Sequence, residues 1–409
     1  MEAHRACLVC STPIIPALNF GMQPLANSLL KNPSEPFDEY PLGFAYCPEC
    51  SHGQLTHFVP PEILFDDYLY ASGTSNTLRA YFKWFAQKLK SQYGGNLDVL
   101  ELACNDGSLL DELVAEGYQV TGLDPARNLC DIAEKKGHKI VCGYFPDIIV
   151  EEKFDCIIAM NVLAHNPNPQ RFMAGIAECL NEKGVAIIQT SQATMIQAGE
   201  FDTIYHEHYS FFTLQSMTKL AKSSGLVIEQ VELTSVHGNS MVCYLRHESA
   251  AIVTRPKHRD TQFLAAHEAY DFVVNFSTKD QIVPAYTSYT SIAQQRMTEV
   301  KSTLQRYRAE GYKIALVGVA AKALTFVGAA GLDFDGSFDE ALLKIGRFIP
   351  KFDHPIKHFD EISELGDHVL VVIGAWNFAA EISAKVSKTN PDTNFVFLRY
   401  FPQLETFSV

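Results

Sequence analysis

Apolar residues recur at helical spacing over residues 77–90, at Leu78, Tyr81, Phe82, Phe85 and Leu89. Upstream, residues 1–64 carry short strands such as 40–46 and no long helical pattern. Downstream the period alternates between two and 3.6. Strands are expected at 98–103, 119–123, 154–160 and 185–189, with helices at 108–115, 126–135 and 169–180. Such βα alternation predicts a mainly parallel sheet covered by helices on both faces. After a helix at 214–223, strands at 225–232 and 241–245 suit an antiparallel edge. Residues 249–291 are polar and mixed and read as a linker passing into a helix at 292–309. A second βα series begins at 313–318, with later strands at 369–373 and 393–398. There is no internal repeat and no low-complexity tract.

Composition refines this picture. A chain of 409 residues, 47% hydrophobic and 20% charged, exceeds what one core usually holds, so two to three domains are expected. No apolar run approaches the ~18–20 residues of a bilayer span, and Met1–His4 does not lead into a signal-peptide core. The cytoplasm is the expected address. The net charge of −14 repels a phosphate backbone, and no basic patch overrides it, which argues against nucleic acid.

Four of the ten cysteines stand in two tight pairs, Cys7 with Cys10 and Cys47 with Cys50. Two residues between partners lets both thiolates of a knuckle reach one tetrahedral Zn²⁺, and four thiolates leave no open position for water. A structural metal is expected, against the alternatives of small buried hydrophobes or a redox pair. The other six, Cys104, Cys130, Cys142, Cys156, Cys179 and Cys243, fall singly in apolar surroundings, so no disulfide framework is implied.

Candidate chemistry gathers where the strands of the first series end. The run Glu101-Leu102-Ala103-Cys104-Asn105-Asp106-Gly107, then Asp124 after the second strand, has the form of a cofactor turn. Backbone amides of such a turn face a ligand, and the later carboxylate accepts both ribose hydroxyls. Asp124 as a helix N-cap is the alternative. Ala103 stands where a glycine usually does, so the full pyrophosphate cradle is missing. S-adenosylmethionine (SAM) has no pyrophosphate, whereas NAD does. Asn161-Val162-Leu163-Ala164-His165 follows one strand, and Tyr205-His206-Glu207-His208-Tyr209 lies beyond the next. Ligands of open α/β sheets bind outside the carboxyl ends of the strands, so both loops should face one crevice. An extended 205–209 segment would send Tyr205, Glu207 and Tyr209 one way and the histidines the other. His208 is the candidate base.

With these motifs, and with Tyr68-Leu69-Tyr70-Ala71-Ser72-Gly73-Thr74-Ser75, the chain resembles the SAM-dependent nucleotide-sugar C-methyltransferases, particularly the 3-C-methyltransferases of deoxysugar biosynthesis. The resemblance covers nearly the whole length, and Tyr205–His208 is its most specific element. It implies an α/β protein with a small zinc-binding domain (1–64), a SAM-methyltransferase domain (65–248), a linker and helical segment (249–300) and a Rossmann-like nucleotide-sugar domain (301–409). It implies Zn²⁺ on Cys7, Cys10, Cys47 and Cys50, and SAM on Glu101, Asn105, Asp106, Gly107 and Asp124. Tyr70, Asn161 and Lys322 would bind substrate, and His208, Tyr205, Glu207 and His165 would do the chemistry, with zinc taking no part. The implied partner is a nucleotide-diphosphate sugar, met by a monomer.

Departures lie in the C-terminal third. A Gly-rich turn is replaced by Gly318-Val319-Ala320-Ala321-Lys322-Ala323, an acidic segment survives only as residues 338–346, and His237-Gly238-Asn239-Ser240 replaces a second Gly-rich segment. Lys322 and Trp376-Asn377-Phe378-Ala379 are retained. Lys344 and Arg347 are read either as diphosphate contacts or as a solvated helix face. Three readings follow: a sugar C-methyltransferase, at carbon 3 or another carbon; an inactive SAM and nucleotide-sugar binding protein; and a zinc-knuckle nucleic-acid methyltransferase, which the acidity disfavours.

Overall fold

The computed structural model describes residues 3–66, 72–74, 76–148, 152–191, 194–236, 238–250, 273, 275–276 and 279–409. Three sheets follow one another along the chain. In the first, β1 (Ile15–Pro24), β2 (Glu39–Tyr46) and β3 (Gly53–Leu55) pair antiparallel, with Leu42, Phe44 and Tyr46 of β2 buried. A short helix α1 (Pro61–Phe65) leads toward α2 (Asn76–Tyr93), whose Leu78, Tyr81, Phe82, Phe85, Ala86 and Leu89 form the buried stripe that the apolar spacing predicts.

The second sheet is built from β4 (Asp98–Leu102), α3 (Ser108–Ala115), β5 (Gln119–Asp124), α4 (Arg127–Lys135), β6 (Lys139–Cys142), β7 (Phe154–Met160), α5 (Pro169–Cys179) and β8 (Leu180–Thr190). The short helix α6 (Met195–Ala198) and strand β9 (Ser210–Phe211) come next, then α7 (Leu214–Ser223), β10 (Leu226–Thr234) and β11 (Ser240–His247). The strand order is β10-β11-β8-β7-β4-β5-β6, parallel except for the β10–β11 edge. Helix starts are locally encoded. Asn168 caps α5 by accepting the Arg171 N–H at 3.0 Å with Pro169 in its first turn, and Thr213 and Ser216 make a reciprocal capping box on α7. β9 does not join this sheet. It pairs with β3, so the residues just after Tyr205–Tyr209 are stitched into the N-terminal sheet.

The third sheet has the order β14-β13-β12-β15-β16-β17. Its elements are α8 (Lys279–Ala309), β12 (Lys313–Val317), α9 (Ala321–Ala330), β13 (Gly336–Asp339), β14 (Ile356–His358), β15 (His368–Ile373), α10 (Ala379–Thr389), β16 (Asn394–Arg399) and β17 (Glu405–Phe407). Only β17 is antiparallel. Helix α8 starts 13 residues before the expected 292, because Ile282, Tyr286, Tyr289 and Ala293 already lie buried at helical spacing between polar residues. This helix links the units. The Tyr286 hydroxyl donates to the Ser51 carbonyl at 2.7 Å, that of Tyr289 to the Glu200 carbonyl at 3.3 Å, and both rings share a core with Phe44, Phe201, Trp376 and Tyr400.

Candidate active site

The two cysteine knuckles are local copies of one turn. Cys7 N–H donates to Thr12 O and Ser11 N–H to Cys7 O, just as Cys47 N–H donates to His52 O and Ser51 N–H to Cys47 O. Ser11 and Ser51 take the left-handed φ values of 62° and 56° that close them. Backbone N–H groups of Val9 and Glu49 point at the Cys7 and Cys47 sulfurs, each at 3.4 Å. The four sulfurs lie within 4.8 Å of one another, with Cys7–Cys50, Cys10–Cys47 and Cys10–Cys50 at 3.5–3.6 Å. A tetrahedron with metal–sulfur bonds of about 2.3 Å has edges of about 3.8 Å, so the four thiolates fit Zn²⁺ with little movement.

At the carboxyl end of β4 the chain turns through left-handed residues, Ala103 (φ 58°), Asn105 (φ 54°) and Gly107 (φ 77°). The Asp124 carboxylate braces this turn, accepting the Asn105 N–H at 2.8 Å and the Ala126 N–H at 2.9 Å. Asn105 and Asp106 also hold residues 72–74. Ser72 N–H donates to Asn105 Oδ1 at 2.9 Å and Gly73 N–H to Asp106 Oδ2 at 3.0 Å. The approach is tight, since a Cβ on Gly73 would lie 2.5 Å from Asp106 Oδ2. Burial pushes the Asp124 carboxyl up, and it pushes Glu101 up further, where Asp124, Asp106 and Asp111 add to the effect. Glu101 Oε2 is buried without a hydrogen-bond partner among the described residues. A cluster of carboxyls with an orphaned oxygen fits the cationic sulfonium ligand SAM, and residues 101–107 with Asp124 would hold it.

The second group lies at the ends of β7 and β8. Asn161 has φ 55°, and His165 ends a short 3₁₀ turn. The His165 ring meets that of His208 edge-on, centroids 4.7 Å apart, and that of Phe65 at 5.5 Å. Burial lowers the His165 pKa to about 4, so the imidazole is neutral at pH 7. The 205–209 segment is not extended. His208 N–H donates to the Tyr205 carbonyl at 2.9 Å, and that turn, rather than strand alternation, places Tyr205 and His208 side by side, ring centroids 4.2 Å apart. His208 Nδ1 lies 2.9 Å from the Thr203 carbonyl and Nε2 lies 3.1 Å from the Tyr205 hydroxyl. A carbonyl only accepts, so Nδ1 carries the proton and Nε2 of the neutral ring keeps its lone pair. His206 turns the other way, toward the Tyr40 carbonyl at 3.3 Å. Tyr209 is buried, its hydroxyl donating to the Val59 carbonyl at 2.6 Å.

Glu207 is buried and accepts from the Asn27 amide of the N-terminal unit. From the C-terminal unit, Trp376 Nε1–H donates to Asp202 Oδ2 at 2.7 Å, and Lys322 sits with its Nζ 5.2 Å from the Trp376 ring centroid. Lys322 thus faces the 200–202 segment, where it opposes the burial that lifts Glu200 to about 7 and raises Asp202. Tyr70 lies outside the described residues. Asn27, Glu200, Asp202 and Thr203 were not expected. The acids stand two apart just before Tyr205, a weak signal, and Asn27 has none. Asn161 Oδ1, His165 Nδ1, Gln189 Nε2 and Thr190 Oγ1 are buried without hydrogen-bond partners among the described residues, and all four lie at the ends of β7 and β8. Buried polar atoms are rarely left so, and these mark where a polar ligand would sit.

Three family models match consecutive stretches: a zinc binding domain over residues 7–65, a methyltransferase domain over 64–231, and a C-methyltransferase C-terminal domain over 235–399. C-methyltransferase NovU of Streptomyces niveus is 26% identical over 92% of this chain and 90% of its own. A ubiquinone biosynthesis O-methyltransferase of Rickettsia bellii (strain OSU 85-389) is 24% identical over 36% of this chain and 70% of its own. The solved magnesium protoporphyrin IX methyltransferase from Synechocystis PCC 6803, with bound SAH, aligns with 41% of this chain and 83% of its own at 16% identity and a TM-score of 0.36. The turn at Asp124, the sheet that bears it and the methyltransferase match define a SAM-dependent methyltransferase. A zinc-binding unit before that domain and a C-methyltransferase unit after it give the chain the order of matched domains that accompanies its full-length similarity to a C-methyltransferase. Among the described residues, no helix is long and apolar enough to cross a membrane.

Proposed function

We propose that the chain transfers a methyl group from SAM to a carbon beside the ketone of a 4-keto-deoxy nucleotide sugar, at carbon 3, and that His208 is the base. The observation that carries this reading is the pairing of His208 with Thr203 and Tyr205. The Thr203 carbonyl holds the proton on Nδ1, so Nε2 carries the lone pair and accepts from the Tyr205 hydroxyl. Taking a proton from carbon needs such a base and a donor for the oxygen that gains charge. The Tyr205 hydroxyl, which donates to Nε2 at rest, would turn to that oxygen, and neutral His165 would be the second contact. Asn161 and Glu207, the latter fixed by Asn27, would hold sugar hydroxyls. SAM, when bound, supplies an electrophilic methyl group. Lys322 and the third sheet would hold the nucleotide end. The zinc knuckle would fix the N-terminal sheet that carries Asn27 and pairs with β9.

Incubation with SAM and a 4-keto-6-deoxy nucleotide sugar in D₂O tests this, with mass spectrometry for methyl gain and NMR for deuterium beside the ketone. Wild type should show both, and His208→Ala should lose both, about 10²–10⁴-fold, with zinc content unchanged. A His208→Ala protein that still exchanges would remove the base assignment. A wild type that binds SAM but neither exchanges nor methylates any such sugar would favour the binding-protein reading.

A further inference from the structure

The Trp376-Asn377-Phe378-Ala379 run has no part in the chemistry above, yet its indole reaches across the interface to the loop that bears His208. Asp202, fully buried, receives the Trp376 Nε1–H at 2.7 Å. The next residue, Thr203, is also fully buried, and its carbonyl is the group that takes the His208 Nδ1 proton at 2.9 Å. We infer that Trp376 and Asp202 are positioning residues through which the C-terminal unit fixes the tautomer and aim of His208, by pinning the backbone at Thr203.

The geometry of both ends supports this. The indole is itself braced, packed against Phe401 with ring centroids 5.8 Å apart and beneath Lys322. An N–H donor bonded to a buried carboxylate makes a strong, directional tie, roughly twice a neutral bond. Asp202 has neighbours on several sides: Glu200 on its own segment, Lys322 of α9, Tyr289 of α8 and Tyr400 after β16. The indole meets it with an N–H aimed at Oδ2. At the far end His208 has no latitude. Its Nδ1 meets Thr203, its Nε2 meets Tyr205, and its ring lies against His165, so a shift of the Thr203 carbonyl is a shift of the imidazole. The tie spans 174 residues of sequence, so the methyltransferase loop takes its working shape only with the third sheet in place.

This inference rests on His208 being the base, and the test separates the two. The full-length, zinc-loaded protein, with ¹⁵N-labelled histidine, is compared with Trp376→Phe, which keeps an aromatic ring and loses the donor. In the wild type His208 should read by NMR as the Nδ1–H tautomer, and in Trp376→Phe as a mixture of tautomers. Deuterium exchange of the keto sugar should drop about tenfold or more in kcat, with the KM for the sugar and the affinity for SAM within about twofold. Asp202→Asn, which keeps an acceptor for the indole, should lose less than Asp202→Ala. An unchanged His208 tautomer in both Trp376→Phe and Asp202→Ala would overturn the inference, as would a loss confined to KM. A wild type without exchange would sink the sugar reading, while the tautomer comparison would still decide this one.

Discussion

Two turns of this molecule are built alike and have diverged in what they do with one aspartate. In the second sheet, β5 ends in Asp124, whose carboxylate accepts a backbone N–H of the turn after β4 at 2.8 Å and the Ala126 N–H at 2.9 Å. In the third sheet, β13 ends in Asp339, which accepts the Val319 N–H of the turn after β12 at 2.8 Å and the Ala341 N–H at 2.9 Å. Even the left-handed residue after the first strand is matched, Ala103 at φ 58° and Gly318 at φ 84°. The difference is Lys344. Its Nζ lies 3.0 Å from Asp339 Oδ2 and donates to the Val319 carbonyl at 2.8 Å, closing the C-terminal turn with the chain's own cation. Among the described residues no lysine or arginine pairs with Asp124. One turn has its charge satisfied from within, and the other keeps a buried carboxylate available. On the proposed reading, this difference would leave the Asp124 turn able to take a cofactor's hydroxyls and the Asp339 turn not.

The largest expected effect breaks this comparison at Asp124. Asp124→Asn keeps the size of the side chain but removes the charge from the hydrogen bonds offered to a ribose, and such bonds are worth about 1.5–3 kcal/mol. SAM affinity by calorimetry should fall about 10–100-fold, whereas Asp339→Asn should leave it unchanged. Equal losses in the two variants would mean that both turns serve the cofactor, and no loss in either would remove Asp124 from the site.

The sequence makes parts of this arrangement legible and hides others, for physical reasons. The helices around the second sheet show because one buried face imposes a period of 3.6, as in α2 and α3, and its central strand β7 shows as a short, nearly continuous apolar run. The zinc cluster shows because the cysteine spacing is itself local geometry. Short edge strands escape: β6 has four residues, none fully buried, and β14 and β17 have three each. The 205–209 segment is misread by alternation because a turn, closed by a single backbone bond, replaces the pleat. The role of Lys344 is equally hidden. Diphosphate contact and solvated helix face are both readings of composition, and its pairing with Asp339 five residues away depends on how the third sheet folds that segment. Asn27 and Trp376 reach Glu207 and Asp202 across 180 and 174 residues, contacts that no local pattern encodes.

A smaller effect sharpens the comparison from the other side. Lys344→Met removes the cation and leaves the Asp339 carboxylate, with 9% of its side chain exposed, held by the Val319 and Ala341 N–H groups but without a counter-charge. Breaking a fully buried pair costs about 3–5 kcal/mol, and the partial exposure of Lys344 reduces this to about 1–2 kcal/mol. The urea midpoint should drop accordingly, with SAM affinity unchanged. A variant as stable as the wild type would show that solvent already screens Asp339, and the contrast with Asp124 would lose its cause.

The smallest effect is a dependence on pH that only the open turn should show. Burial raises the Asp124 carboxyl above the ordinary aspartate value of 3.8, so the folded chain binds more protons there than the unfolded chain does. A group with a raised native pKa contributes its full stability below the unfolded value and loses it as the pH rises through the folded one. The unliganded wild type should therefore lose stability relative to Asp124→Asn as the pH climbs from 3.8 toward neutrality, because only the wild type must hold a buried charge. With SAM bound as proposed the order should reverse, since the ionised carboxylate would be what its hydroxyls meet. Urea midpoints for both proteins at pH 4 and pH 7.5, with and without SAM, give four differences. A gap that widens with pH without ligand and changes sign with it would show that the turn gives up stability to keep its carboxylate free. A gap independent of pH would mean that the two backbone N–H groups already compensate the charge, leaving Asp124 as fully satisfied as Asp339.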